Sequence, residues 1–213
     1  MGHRGHSAFK GRPYAADPFG RDGQNRVRIA QTAARLIAEH GLTDWALAKR
    51  KAARQLMLSE REGLPDDGEI EAALAEHHAI FGGDEHVATL RQQREEALKW
   101  MRRLAEFRPT LIGGVAAGWA TEYSDIRLDL VADDAKAVEL TLINAGVAYR
   151  LPPVQRADGA AELHIDTPIG GLRLIVRNDS AARQRPARNA QGNPAPRLSA
   201  AALEALLADA GTP

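Results

Sequence analysis

From residue 125 to residue 131 the chain alternates apolar and polar side chains, with Ile126, Leu128 and Leu130 on one phase and Arg127 and Asp129 on the other. A period of two is the signature of a β-strand with one buried face. Such a strand needs sheet partners and an apolar layer to lie against, and the neighbouring sequence supplies candidates for both. Residues 110–112 are a short apolar run ending in Gly113-Gly114, and 147–151 is a further strand stopped by Pro152-Pro153. Segments 162–166 and 172–176 read as a hairpin across 167–171. Ala137, Val138, Leu140 and Leu142 make 133–144 an amphipathic helix that Gly146 ends, and Ser199 caps a last helix over 200–210. The Pro/Arg/Asn/Gln/Gly-rich stretch 178–196 reads as a loop. The back half is therefore β-β-α-β-β-β with a terminal helix, an α+β domain of about 100 residues.

The front half has a different texture. Val27, Ala30, Ala33, Ala34, Ile37 and Ala38 are spaced for a helix over 25–40, stopped by Gly41. Thr43 or Asp44 is placed to cap a second helix to about residue 58, Asp67 a third to 81, and Asp84 a fourth ending near 107. The expected organisation is a disordered basic tail over 1–24, a helical region over 25–107, and the α+β domain over 108–213.

Composition narrows the function classes. Lys+Arg and Asp+Glu balance at 28 each, so a nucleic-acid partner would have to be argued from a local patch. Aromatic residues are only 5%, so the core has to be built from Ala, Leu, Ile and Val. The absence of cysteine removes disulfides, thiolate metal sites and cysteine nucleophiles together. No stretch reaches the roughly 18–20 apolar residues of a membrane span, and the first 25 residues have no apolar signal core. A cytoplasmic protein without a membrane partner is expected.

The motif with chemical content is Ile112-Gly113-Gly114, then ten residues, then Asp125-Ile126-Arg127-Leu128. It resembles the nucleotidyltransferase superfamily, whose pattern is a hydrophobic residue, Gly-Gly or Gly-Ser, nine to thirteen residues, then Asp-hydrophobic-acid-hydrophobic. Together with Tyr123-Ser124 before the strand, the helix that follows it, and the stretch Ala48-Lys-Arg-Lys-Ala-Ala-Arg-Gln-Leu56, it is similar to bacterial nucleotidyltransferase-like proteins with an N-terminal helical region. This resemblance spans about residues 25–208. It implies Mg²⁺-dependent transfer of a nucleoside monophosphate from an NTP. Gly113 and Gly114 would cradle phosphate and Asp125 would hold metal.

The chemistry explains why the pattern has two acids. Nucleotidyl transfer is largely positioning and charge neutralisation around two Mg²⁺ ions, and carboxylates at i and i+2 of a strand project from one face to share them. Here Arg127 stands where the second acid belongs, free to contact phosphate or to silence the site. Asp129 is the next acid on that face and is carried with Asp125 as a candidate catalytic residue. Four strand residues span roughly 13 Å, too far for both to hold one ion pair about 4 Å apart. Asp166, or Glu162, is the candidate third acid and metal ligand, both expected on the phase opposite His164, while the later strand offers Arg173. The alternative function is a non-catalytic nucleotide- or nucleic-acid-binding module.

Three further groups have weaker meaning. Lys49, Arg50, Lys51 and Arg54 make a basic cluster on the second helix, a candidate nucleic-acid contact or a solvated face. Glu76, His77, His78 and His86 invite a metal, but adjacent histidines point about 100° apart on a helix, which favours a structural or surface role. Arg183, Arg185, Arg188 and Arg197 lie in or beside the late loop, either closing over phosphates or simply connecting elements.

Overall fold

A computed structural model describes residues 21–58, 63–153, 156, 159–182 and 195–209. Residues 1–20 of the expected 1–24 tail, and Arg183, Arg185 and Arg188, lie outside these residues. The architecture is α+β, with an N-terminal helical region leading into a five-stranded mixed sheet.

Helix α1 (Arg21–His40) buries Ile29, Ala30, Ala33, Ala34, Leu36 and Ile37. It begins four residues earlier than its apolar spacing predicts, because polar residues can extend a solvated helix end without packing. Gly41, at φ +64°, turns the chain into α2 (Trp45–Gln55), where Asp44 accepts a capping hydrogen bond from the Leu47 amide. Helix α3 (Asp67–Phe81) starts in a reciprocal capping box between Asp66 and Glu69. These three helices pack through small faces, Ala48, Ala52, Ala53, Ala73 and Leu74 among them, and Trp119 from the second half completes their cluster.

Helix α4 (Gly83–Arg103) lies with the sheet. Its Leu90, Ala97, Leu98, Trp100 and Met101 join Leu111, Ile126, Leu128, Leu130, Leu163, Leu172 and Leu174 in one core. Its cap position is Gly82, not Asp84, and no side chain caps it. After a 3-10 turn (Ala105–Phe107) come β1 (Thr110–Ile112), the single turn α5 (Gly114–Ala117), β2 (Ile126–Val131), α6 (Ala135–Asn144), β3 (Ala161–Thr167), β4 (Gly170–Arg177), the turn α7 (Asp179–Ala182), β5 (Arg197–Leu198) and α8 (Ala200–Asp209).

The strand order is β3-β4-β2-β1-β5; β2 and β4 run parallel and the other pairs antiparallel. Leu128, Leu163, Leu174 and their same-phase neighbours face the core that α4, α6 and α8 help to build. The opposite phase carries Arg127, Asp129, Glu162, His164, Asp166, Arg173 and Arg177. The expected strand at 147–151 reduces to one bridge, with Arg150 and His164 exchanging backbone hydrogen bonds of 2.8 Å. Pro152 and Pro153 have no amide hydrogens to extend that ladder. No helix among the described residues is long and apolar enough to cross a membrane.

Candidate functional site

Gly113 sits at φ +73°, ψ −156°, a conformation that residues with a Cβ rarely adopt. A Cβ there would also lie 2.9 Å from Nε and 3.1 Å from Cζ of Arg127. The sheet register explains the approach, since Ile112 pairs with Arg127 and delivers the guanidinium onto the next residue. Gly114 is small for a different neighbour: a Cβ would meet the Trp119 ring at 2.7 Å. The glycine pair thus seats one cation and one indole.

Asp125 immediately precedes β2. Its Oδ2 accepts a hydrogen bond from Arg173 Nε at 2.6 Å and forms an ion pair with Nη2 at 2.5 Å. Its other oxygen rests against Gly171, where a Cβ would come within 2.1 Å. Arg173 also reaches Glu162, with Nη1 3.6 Å from Oε1. Glu162 is buried and receives hydrogen bonds from His164 Nε2 at 2.6 Å and Arg156 Nη1 at 3.1 Å. Burial opposes its charge, but those two donors, with the His164 and Arg173 charges, outweigh burial and lower its pKa below the usual carboxylate value. Arg173 therefore sits between two carboxylates.

Arg127 is the direct register partner of Arg173 across the parallel β2–β4 pair. Among the described residues its guanidinium has no hydrogen-bond or ion-pair partner. Burial first, then the charge on Arg173, lowers its pKa, against the pull of Glu71 and Asp125. Glu71 on α3 is raised, chiefly by its own burial, with Arg127 opposing.

These groups border a cavity of about 430 Å³ between the helical region and the sheet. Trp45 and Trp119, with ring centroids 5.4 Å apart, give it an aromatic wall, and Tyr123 packs over Gly41. Asp67, Glu71, Gly114, Asp125, Arg127 and Arg173 supply the polar part. Helix α4 fixes the connecting segment 113–125: buried Gln93 donates to the Thr121 carbonyl at 2.8 Å, Arg94 to Val115 at 3.1 Å, and His86 to Gly118 at 3.1 Å.

The structure brings Gly114, Asp125 and Arg127 to one cavity, with Gly113 beneath the Arg127 guanidinium, and separates them from the other candidate acids. Asp129 is buried in its own ion-pair cluster, with Arg177 Nε at 3.1 Å and Arg197 Nη2 at 2.9 Å. Asp166 lies across β4, opposite Gly171, about two strand spacings or 10 Å from Asp125. It is 77% exposed and paired with Arg150. Glu162, not Asp166, is linked to Asp125, through the Arg173 guanidinium that both contact. The expected opposition of phase is corrected as well: Glu162, His164 and Asp166 are separated by two residues each and share one face, which the Glu162–His164 bond confirms.

On α2, Lys49 is paired with Asp67 at 2.6 Å, whereas Lys51 and Arg54 are exposed. His78 and His86 stack at 3.8 Å between α3 and α4, and His77 packs on Phe81. Among the described residues no group of three or more His, Cys, Asp or Glu is placed to hold a metal ion.

Sequence reasoning missed Glu71, Trp45, Trp119 and Tyr123. Their signal is only tertiary, because they come from elements whose mutual packing no local pattern specifies. No protein-family model matches this chain, and no curated protein matches it.

Proposed function

We propose that this is a nucleotidyltransferase-like protein whose cavity receives the phosphates of a nucleotide, and that it acts as a binding module rather than by Mg²⁺-dependent transfer. The observation that carries the reading is the meeting at one cavity of Gly114, Asp125 and Arg127, whose guanidinium has no partner among the described residues and rests on Gly113. That volume falls within the range of small-molecule sites, and its aromatic wall offers a surface against which a base can pack.

Magnesium would supply Lewis-acid polarisation and charge neutralisation at the phosphates. The donor set does not fit a pair of such ions. Asp125 is committed to Arg173, position 127 is a second guanidinium, and Glu162 is held by Arg156, Arg173 and the His164 ring. A reading as a nucleic-acid binder through Lys49, Arg50, Lys51 and Arg54 is weaker, because Lys49 is already paired with Asp67.

Thermal-shift titration of the full chain with each NTP, with and without Mg²⁺, tests the proposal. A concentration-dependent rise in Tm with an NTP is expected. Silence with every NTP, beside polynucleotide binding that weakens steeply in salt, would replace it with the nucleic-acid reading.

A further inference from the structure

Resting on that reading of the cavity, we infer that Arg127 and Arg173 form a two-guanidinium clamp that takes a phosphate or pyrophosphate group without a divalent cation. Asp125 acts as the internal anion that occupies Arg173 until the ligand arrives.

Four observations lead to this assignment. The two arginines are register partners on adjacent parallel strands, so their backbones lie about 4.8 Å apart and their side chains share a face. Both border the cavity. Arg127 presents a guanidinium that, among the described residues, has neither an ion-pair nor a hydrogen-bond partner. Arg173 is held on one flank by one Asp125 oxygen, through an Nε–H hydrogen bond and an ion pair with Nη2.

A pair of like charges this close is costly unless an anion lies between them. Guanidinium forks match phosphate oxygens in shape and in donor number. Asp125 satisfies only Arg173, and Glu71 touches Arg127 through its field rather than through a bond. A phosphate dianion would reach both forks at once. Gly113 shapes the same site, since the space a Cβ would fill is where the Arg127 guanidinium lies.

Ligand source and metal dependence are separable by calorimetric titration of the full chain. Inorganic phosphate, pyrophosphate and ATP are each titrated in EDTA and in Mg²⁺. Pyrophosphate and ATP are expected to bind in EDTA, with Mg²⁺ changing their affinity by less than about twofold; ATP tighter than pyrophosphate marks a nucleotide source, and equal affinity marks a free-anion site. Arg127→Ala and Arg173→Ala should each weaken binding by about tenfold or more, the scale of one charge-assisted contact pair.

The decisive variant is Asp125→Asn. It removes the nearer of the two carboxylates on Arg173 and leaves Glu162 at 3.6 Å, so pyrophosphate in EDTA should bind several-fold tighter. Asp67→Asn, which neutralises an acid of the same cavity paired with Lys49 instead, should change it much less. If an arginine variant misfolds by circular dichroism, the sign of the Asp125→Asn effect still decides. Binding that requires Mg²⁺ and disappears in Asp125→Asn overturns the clamp while leaving nucleotide binding intact. Equal tightening in Asp67→Asn and Asp125→Asn also overturns it, because general charge then accounts for the gain. No binding of any anion in either buffer removes both the clamp and the nucleotide reading.

Discussion

Gly113 answers two requirements at one position: a backbone angle closed to side chains, and a Cα surface on which Arg127 rests. Gly113→Ala should therefore lower stability by about 1–3 kcal/mol, the cost of forcing a non-glycine residue into such a region, and displace Arg127 as well. Urea denaturation measures the first effect and pyrophosphate titration the second. Gln93 offers a residue-scale contrast, because its amide holds the carbonyls of Thr121 and Ser124 from inside the fold. Gln93→Ala should cost about 0.5–1.5 kcal/mol, the net worth of a lost hydrogen bond, because the Thr121 carbonyl keeps the Ser124 amide at 3.0 Å; an unchanged denaturation midpoint would contradict that role. Of these residues, Gly113, Asp125 and Arg127 were legible in the sequence, since a fixed spacing before an alternating strand marks them. Gln93 was not, because a glutamine on a helix gives no sign of which carbonyl it will meet.

At the scale of elements, β2 carries two separate ion-pair systems on one face. Asp125, one residue ahead of the strand, belongs to the Arg173–Glu162 set, and Asp129 to the Arg177–Arg197 set. The second ties β2 and β4 to β5 at the sheet edge. Asp129→Ala removes the buried acid between the Arg177 and Arg197 guanidiniums. It is expected to cost about 2–4 kcal/mol, near the value for breaking a buried pair from one side, while leaving pyrophosphate affinity within about twofold. A large loss of affinity would join the two systems into one site. The alternation of 125–131 was enough to place these residues on one face. Their division into two clusters depends on which strands lie on either side, and β5, only two residues long, has no periodicity to read.

For the molecule as a whole, two features decide behaviour. Trp119 leaves the sheet half to complete the core of α1, α2 and α3, and its ring fills the space above Gly114. Trp119→Ala should cost about 3–5 kcal/mol, as large aromatic truncations do, and loosen the wall of the cavity, read as lower Tm with weaker nucleotide binding. The second feature is the α3–α4 histidine stack. Burial, then His86 and His77, lower His78 from 6.5 to about 4. Its folded pKa is depressed, so the unfolded chain binds the proton first. Stability is full above about 6.5, falls as the pH drops toward 4, and is flat with respect to this group below that. Glu162, also lowered, adds a loss at more acidic pH, whereas the raised Glu71 works in the opposite direction. Urea midpoints from pH 7.5 to 4.5 should decline in the native chain and decline less in His78→Gln.

By itself the sequence determined the α+β class, the helical front half, and the polar and apolar faces of β2. Each follows from periodicity or local backbone preference, which act over a few residues. Only the tertiary structure decided that Arg173 is the direct register partner of Arg127, that Glu162 rather than Asp166 shares Arg173 with Asp125, and that Trp45, Trp119 and Glu71 line the cavity. Those facts rest on the order and register of strands and on helix packing across the chain. Both are set by burial of the whole core rather than by any short stretch of residues.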